Sequence, residues 1–309
     1  MAAPLKIIYA GSPQYAVPAL EKLIESGKNV VAVITQPDKP VGRRQALTPT
    51  PVKLCAQKHG LPVFDFAKIR DHVAEIKELG ADIMLTCAYG QLLTEQILNI
   101  FPKGVWNLHA SLLPKFRGAS PVQSSILAGE THTGVTVMKT ELTLDTGDIL
   151  LVKRCEIGNL TSGGLFAKLS QLSAEAAVEA VGYLEKGNVQ LLMQDESKAT
   201  LCKKINKSDC KIDFNEPHEA VLRKIKAFSP APAAFCDFKG SLLNIFDAEP
   251  CVGVSGAAGT VIAADKRGIS VACGTGGVII TELQPAGGKR MRAADFVNGR
   301  KIKAGDILD

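Results

Sequence analysis

The chain has 309 residues, of which 46% are hydrophobic and 22% are charged, and its formal net charge is +5. This composition is ample for one or two folded domains and argues against intrinsic disorder. No apolar run approaches the roughly 20 residues of a membrane-spanning helix, and the first apolar run begins too early to follow a signal peptide. We therefore expect a monomeric protein of the cytoplasm that does not contact membranes.

The first part of the chain alternates strand-like and helix-like patterns. Such a β-α-β order predicts an α/β fold with a Rossmann-like parallel sheet that is covered on both faces. Ligands of these sheets bind beyond the carboxyl ends of the strands, here the loops after Ala10, Ile34, Thr86 and Trp106. In chain order, the pattern predicts a strand over 6–10, a helix ending near Gly27, a strand over 30–34, helices over 51–59 and 70–79, and a strand over 83–86.

Two common kinds of cofactor site are disfavoured by the sequence. The loop after the first strand, Ala10-Gly11-Ser12-Pro13, lacks the Gly-x-Gly-x-x-Gly pattern that lets a dinucleotide pyrophosphate approach the backbone. The eight cysteines form no Cys-x-x-Cys pair and no histidine lies at ligand spacing from another, so we expect reduced thiols and no metal site.

The remainder of the chain predicts a change of architecture. A helix is expected over about 163–187, and short β-rich runs interrupted by glycines begin near residue 209, which favours a small OB-like β-barrel. The predicted domains are therefore 1–189, a linker over 190–208, and 209–309. Residues 201–309 carry 16 basic against 12 acidic residues, a surplus that suits an anionic partner.

The residues that most clearly indicate a catalytic role begin at the end of a strand-like run, in Asn107-Leu108-His109. Residues two apart in a strand point to the same face, so Asn107 and His109 are expected to project into one crevice. Asp145 lies in a turn-rich loop further along the chain. An amide, an imidazole and a carboxylate can together bind an oxyanion, move protons and orient the imidazole, which are the needs of acyl transfer.

These motifs resemble the 10-formyltetrahydrofolate-dependent formyltransferases. The carriers of the resemblance are Asn107-x-His109-x-Ser-Leu-Leu-Pro114 and Leu144-Asp145-Thr-Gly-Asp148. Within that superfamily the chain is similar, over essentially its whole length, to the methionyl-tRNA formyltransferase family. Further matching segments are Ile8 to Pro13, Gln36 to Arg43, Pro49 to Lys53, Ala88 to Gly90, Lys204 to Lys207, Ile212 to Phe214, Ala227 to Pro230 and Leu283 to Gly287.

The resemblance implies a reaction and residue roles. The formyl group of 10-formyltetrahydrofolate would pass to the amino group of initiator methionyl-tRNA, with no acyl-enzyme and no metal. Asn107 would polarise the formyl oxygen. His109 would stabilise the oxyanion and pass a proton to the leaving folate nitrogen. Asp145 would orient His109, directly or through water, and favour its protonated form. The residues implied to bind the folate co-substrate are Ser111, Leu112, Leu113, Pro114, Ala88, Tyr89 and Gly90.

The resemblance also implies where tRNA binds. Residues 36–53 form a long, proline-bounded basic loop, of a kind that is usually functional, and the family reads the acceptor end there. A second basic cluster lies in the predicted barrel, where it could follow an RNA backbone. The implied tRNA-binding residues are Lys39, Arg43 and Arg44 in the loop and Lys289, Arg290 and Arg292 in the barrel.

The sequence departs from the family pattern at a few positions, and alternatives to the tRNA reaction stay open. The departures are Arg44-Gln45-Ala46 in place of a glycine and two basic residues, Ala231 in place of tryptophan in the Ser-Pro-Ala-Pro turn, and Lys115-Phe116-Arg117 in place of Arg-Trp-Arg. They affect the expected tRNA contacts and not the Asn-His-Asp set. The nearest alternative is a formyltransferase acting on a sugar-nucleotide amine, followed by a hydrolase of the formyl-folate and a non-catalytic RNA-binding relative.

Overall fold

Two compact units are seen in the computed structural model, which describes residues 4–42, 45–187, 189–299 and 301–309. Residues 190–202, predicted as part of a linker, group with the first unit because they pair with its strands. The first unit comprises 1–121, 132–156 and 166–202, and the second comprises 122–131, 157–165 and 203–309.

The regular elements follow one another closely along the described chain. The strands are β1 Ile7–Gly11, β2 Val30–Ile34, β3 Lys39–Val41, β4 Ala46–Thr48, β5 Val63–Phe64, β6 Ile83–Cys87, β7 Val105–His109, β8 Arg117–Gly118, β9 His132–Lys139, β10 Ile149–Glu156, β11 Leu201–Cys202, β12 Ala234–Phe238, β13 Ser241–Cys251, β14 Val261–Asp265, β15 Gly268–Ala272, β16 Gly277–Pro285 and β17 Met291–Arg292. The helices are α1 Val17–Glu25, α2 Pro51–Lys58, α3 Val73–Glu78, α4 Glu95–Leu98, α5 Pro121–Leu127, α6 Ser162–Lys186, α7 His218–Phe228 and α8 Ala293–Asn298. Among the described helices, none is both long enough and apolar enough to cross a bilayer.

The first unit is built on a seven-stranded sheet with the order β10-β9-β7-β6-β1-β2-β5. The pairs from β5 to β7 are parallel, and β9 and β10 add an antiparallel edge beside β7. The predicted parallel α/β sheet is therefore confirmed. Strand order reverses at β1, since the chain passes to β2 and β5 on one side and later to β6 and β7 on the other, which creates a switch point.

Local sequence explains why these elements form where they do. All five residues of β1 and of β6 are buried, as expected for strands covered on both faces. Helix α2 begins at Pro51 because Thr50 caps it, with its hydroxyl accepting from the backbone N–H of Lys53 at 3.1 Å. The Thr50 cap and the buried strands thus set the position of the sheet edge at which the site is assembled.

Two sequence expectations in this unit need correction. The helix expected over 70–79 is a 3-10 turn at Ile69–Asp71 followed by α3, because His72 has a non-helical backbone between them. The loop expected over 36–53 is not irregular throughout. It contains the antiparallel hairpin β3–β4, with Lys39 opposite Thr48.

The second unit is dominated by an antiparallel sheet with the order β12-β13-β16-β15-β14, and β17 pairs with β16. The predicted β-rich second domain is confirmed, with two helices that glycine and strand patterns did not indicate. Helix α7 starts directly after Pro217 and buries Val221, Ile225 and Phe228 on one side. Helix α8 buries Phe296, which meets Phe238 edge-on with ring centroids 6.3 Å apart.

Candidate active site

Asn107 and His109 lie on one face of β7, as their spacing predicts. Thr86 stands directly opposite Asn107 in the parallel pairing of β6 with β7. Its hydroxyl donates to Asn107 Oδ1 at 2.8 Å, while the carbonyl of Trp106 is a more distant acceptor at 3.3 Å. Because the amide oxygen is occupied, the Asn107 NH2 group is the side of the amide that can donate to a ligand.

His109 is buried and has an oxygen beside each ring nitrogen. Nε2 lies 2.9 Å from the backbone carbonyl of Phe116. Nδ1 lies 3.6 Å from Asp145 Oδ2, which is beyond a direct hydrogen bond but within ion-pair range. Their side chains are only 6% and 10% exposed, so little water screens this pair. The three residues predicted from the sequence are therefore brought together.

The backbone around Asp145 is specialised for this placement. Asp145 has a φ of 53°, in the left-handed region that a non-glycine residue adopts at some cost. Its Oδ2 also accepts from the backbone N–H of Gly118 at 2.8 Å. A side chain at Gly118 would place a Cβ 2.2 Å from the Cys202 carbonyl oxygen, so only glycine allows this approach.

The segment implied to bind folate begins immediately after β7. Ser111 is fully buried and its hydroxyl donates to the Lys115 carbonyl at 2.6 Å, so it shapes the loop. Leu113 is buried against Met138 and Ile149. Leu112 and Pro114 are half-buried and are the members of this segment whose side chains present surface to a ligand.

The second implied folate wall, at the end of β6, offers backbone more than side chains. Ala88 and Gly90 are exposed and both have positive φ angles. The Tyr89 side chain is buried in the hydrophobic core, and its carbonyl accepts from Gln36 Nε2 at 2.9 Å. A Cβ at Gly90 would lie 2.8 Å from that same nitrogen. Tyr89 can therefore line a pocket only through its main chain.

The basic residues of the 36–53 segment differ in availability. Lys39 is exposed and its ammonium donates to Gln36 Oε1. Arg43 and Arg44 lie outside the described residues. Lys53 is engaged with two carboxylates, Asp38 at 2.8 Å and Asp65 at 2.7 Å, and these hydrogen bonds raise the pKa of Lys53. The positive charge of Lys53 is thus balanced by these two carboxylates.

The basic cluster of the second unit is also partly neutralised. Arg290 donates from Nε to Glu282 at 2.7 Å and stacks over Phe246, with 4.3 Å from its guanidinium carbon to the ring centroid. Lys289 and Arg292 are exposed, and within the described residues neither makes an ion pair. They are the members of this cluster that remain available to an anion.

The eight cysteines form no disulfide, and one thiol lies beside the site. Cys202 Sγ donates at 3.3 Å to the Phe116 carbonyl, the same oxygen that meets His109 Nε2. Burial raises the pKa of the Cys87 thiol to about 12. Glu21, Cys55 and His59 place ligand atoms within 4.8 Å of one another. Burial raises the pKa of the Cys55 thiol to about 11, so this group disfavours the thiolate that metals bind.

Three residues at the site were missed by sequence reasoning. Thr86 orients Asn107, and its position opposite Asn107 depends on strand register. Arg117 is only 4% exposed and bonds to Gln194, which in turn bonds to the backbone of the Asp145 loop. A buried arginine and glutamine carry no periodic signal in the sequence, although Arg117 closely follows the Asn-x-His motif.

Comparison with known proteins identifies the family. Residues 5–181 match the formyl transferase family, and residues 204–301 match the formyl transferase C-terminal domain. Methionyl-tRNA formyltransferase of Citrifermentans bemidjiense is 39% identical over 98% of this chain and 96% of its own. Those of Bacillus velezensis and Chromobacterium violaceum are both 40% identical over 98% of this chain, and the match covers 97% and 99% of their lengths.

Solved structures with lower identity share the fold. HypX from Aquifex aeolicus in complex with tetrahydrofolic acid is 16% identical with a TM-score of 0.67, and the match covers 96% of this chain and 47% of HypX. An N-formyltransferase from Helicobacter canadensis in complex with folinic acid and dTDP-3-aminofucose is 17% identical with a TM-score of 0.67, over 93% and 100% of the two chains. With about 40% identity to the curated relatives over nearly its full length, the chain belongs to the methionyl-tRNA formyltransferases of the formyl transferase family.

Proposed function

We propose that Asn107, His109 and Asp145 carry out transfer of the formyl group of 10-formyltetrahydrofolate to the amino group of initiator methionyl-tRNA. The observation that supports these roles is the convergence of the three side chains, with the Asn107 NH2 group free to donate and His109 between two oxygens. The family's reaction, formyl transfer to methionyl-tRNA, needs this combination of donor and proton carrier.

In the first step the amine nitrogen attacks the formyl carbon and a C–N bond forms. The formyl oxygen becomes negative in the tetrahedral intermediate, and the Asn107 NH2 group stabilises it by donating a hydrogen bond. Thr86 keeps the amide in this orientation by holding Oδ1. Donors fixed in advance are effective because they do not reorganise as charge develops.

In the second step the bond from the formyl carbon to the folate nitrogen breaks. That nitrogen gains a proton while the former amine loses one, so the reaction is balanced without an external acid or base. His109 Nε2 is committed to the Phe116 carbonyl, so we assign the proton movement to Nδ1. Asp145, 3.6 Å from Nδ1, stabilises the imidazolium that carries this proton.

Binding of the two substrates is assigned to two sets of residues. The folate lies against Leu112, Pro114 and the main chain of 88–90, which surround the end of β7. The tRNA contacts Lys39, Arg43 and Arg44 near the β3–β4 hairpin, and Lys289 and Arg292 in the second unit. Lys39, Lys289 and Arg292 are exposed cations and suit phosphate contacts, whose strength falls with salt.

The test is formyl transfer from 10-formyltetrahydrofolate to purified methionyl-tRNA, with initiator and elongator species side by side. Transfer to the initiator species that is lost in His109→Ala supports both the reaction and the site. Formylation of a sugar-nucleotide amine in place of the tRNA would keep the active site and contradict the acceptor. Transfer retained in His109→Ala would contradict the residue roles.

A further inference from the structure

We propose that Gln194 is a positioning residue for formyl transfer, which holds the Asp145 loop in place beside His109. This inference rests on the proposed role of Asp145 and adds a residue outside the Asn-His-Asp set. Gln194 lies in the segment predicted as a linker, and it is only 7% exposed. A buried amide must satisfy its hydrogen bonds, so its partners define what it does.

The side-chain amide of Gln194 donates both of its N–H groups to the Asp145 loop. Nε2 donates to the carbonyl of Asp145 at 2.9 Å and to the carbonyl of Gly147 at 2.7 Å. One bond holds the carbonyl of the left-handed residue itself, and the other holds the carbonyl two residues later. Because that conformation is unfavourable for aspartate, contacts to the loop are needed to hold it.

The orientation of this amide is in turn fixed by Arg117. The guanidinium donates to Gln194 Oε1 from Nε at 3.1 Å and from Nη2 at 2.8 Å. It also binds Glu196 through Nη1 at 2.8 Å and Nη2 at 2.6 Å. With Oε1 held by a cation, the NH2 group of Gln194 must face the loop.

The same segment also supports the other partner of His109. The backbone N–H of Phe116 donates to Thr200 Oγ1 at 2.8 Å, and the N–H of Arg117 donates to the Thr200 carbonyl at 2.8 Å. Phe116 supplies the carbonyl that meets His109 Nε2. Residues 194–200 thus hold the oxygens on both sides of the imidazole, and the two substrates need no contact with them.

The decisive variant is Gln194→Glu, which keeps an oxygen for Arg117 and replaces the two donors by an oxygen facing two carbonyls. We expect kcat to fall about tenfold, since one to two net hydrogen bonds are lost. If Gln194 acts through Asp145, the same substitution in an Asp145→Asn background should lower kcat less than twofold. Gln171→Glu, on the exposed side of α6, makes the same charge change as the matched control.

The experiment is single-turnover formyl transfer to methionyl-tRNA in this double-mutant cycle, with wild type and His109→Ala in parallel. An equal loss in both backgrounds, or a loss below twofold in wild type, overturns the inference. Should Gln194→Glu not fold, Glu196→Gln, whose side chain is 68% exposed, replaces it in the cycle with an expected two- to threefold loss. Failure of wild type to formylate methionyl-tRNA would instead overturn the proposed function.

Discussion

Replacing Asp145 with asparagine measures what the carboxylate charge contributes to formyl transfer. The substitution keeps an oxygen for the Gly118 N–H and removes the negative charge 3.6 Å from His109 Nδ1. Two unit charges at that distance attract by about 1 kcal/mol at the dielectric constant of water and by about 5 kcal/mol at an effective value of about 20. With both side chains at most 10% exposed, an intermediate loss of about 3 kcal/mol is expected, or about 10²-fold in kcat.

The assay is single-turnover formyl transfer at saturating folate and methionyl-tRNA, so that the chemical step is observed. Asp71→Asn serves as the control, because Asp71 is 61% exposed and lies 3.8 Å from Arg70. A rate for Asp145→Asn within threefold of wild type would refute the proposed stabilisation of the imidazolium. A loss that appears only when the assay is repeated at subsaturating folate would also refute it, since the charge would then act only in binding.

Three further variants, one of them double, test other parts of the structure. Thr86→Val removes the donor to Asn107 Oδ1 and should lower kcat two- to tenfold in the same assay, whereas Thr86→Ser should remain near wild type. Gly118→Ala should lower the free energy of unfolding by at least about 2 kcal/mol in a urea titration, because its Cβ would meet the Cys202 carbonyl at 2.2 Å. The control is Gly60→Ala, where φ is 68° and the space around the Cβ is open, and its free energy of unfolding should fall by about 1 kcal/mol or less. The double variant Lys289→Ala with Arg292→Ala should weaken tRNA binding and reduce the slope of log K against log salt by about 1.5. The control is the double variant Lys266→Ala with Arg267→Ala. An unchanged slope, or an equal change in the control, would contradict a tRNA surface at Lys289 and Arg292.

Asn107 and His109 could be predicted from sequence because their relation is local. Spacing of two in an apolar strand fixes a shared face whatever the rest of the chain does. The parallel order of β1, β2 and β6 was equally accessible, since buried strands alternating with helices leave few arrangements. Both predictions rest on periodicity, which can be recognised in the sequence without knowledge of tertiary contacts.

The basic residues show why charge in a sequence predicts a binding surface less well. Arg290 is an implied tRNA contact and Lys53 is a cation of the basic loop, yet carboxylates from other segments bind both of them. The partners Asp65 and Glu282 are twelve and eight residues away, and only folding brings them close. Hairpin β3–β4 was missed for a similar reason, because three-residue strands give too short a pattern to separate from a loop.

The position of Asp145 beside His109 does not follow from the rule that ligand-binding loops lie beyond the carboxyl ends of parallel strands. The register sets Trp106 opposite Lys139 and His109 opposite Thr136, so β9 ends beside the start of β7. The loop after β9 must therefore run back along β7 to place Asp145 next to His109. No strand dictates that return, and the bonds from Gln194 and Gly118 hold it instead. The rate of formyl transfer should consequently depend on residues such as Gln194 that hold the Asp145 loop.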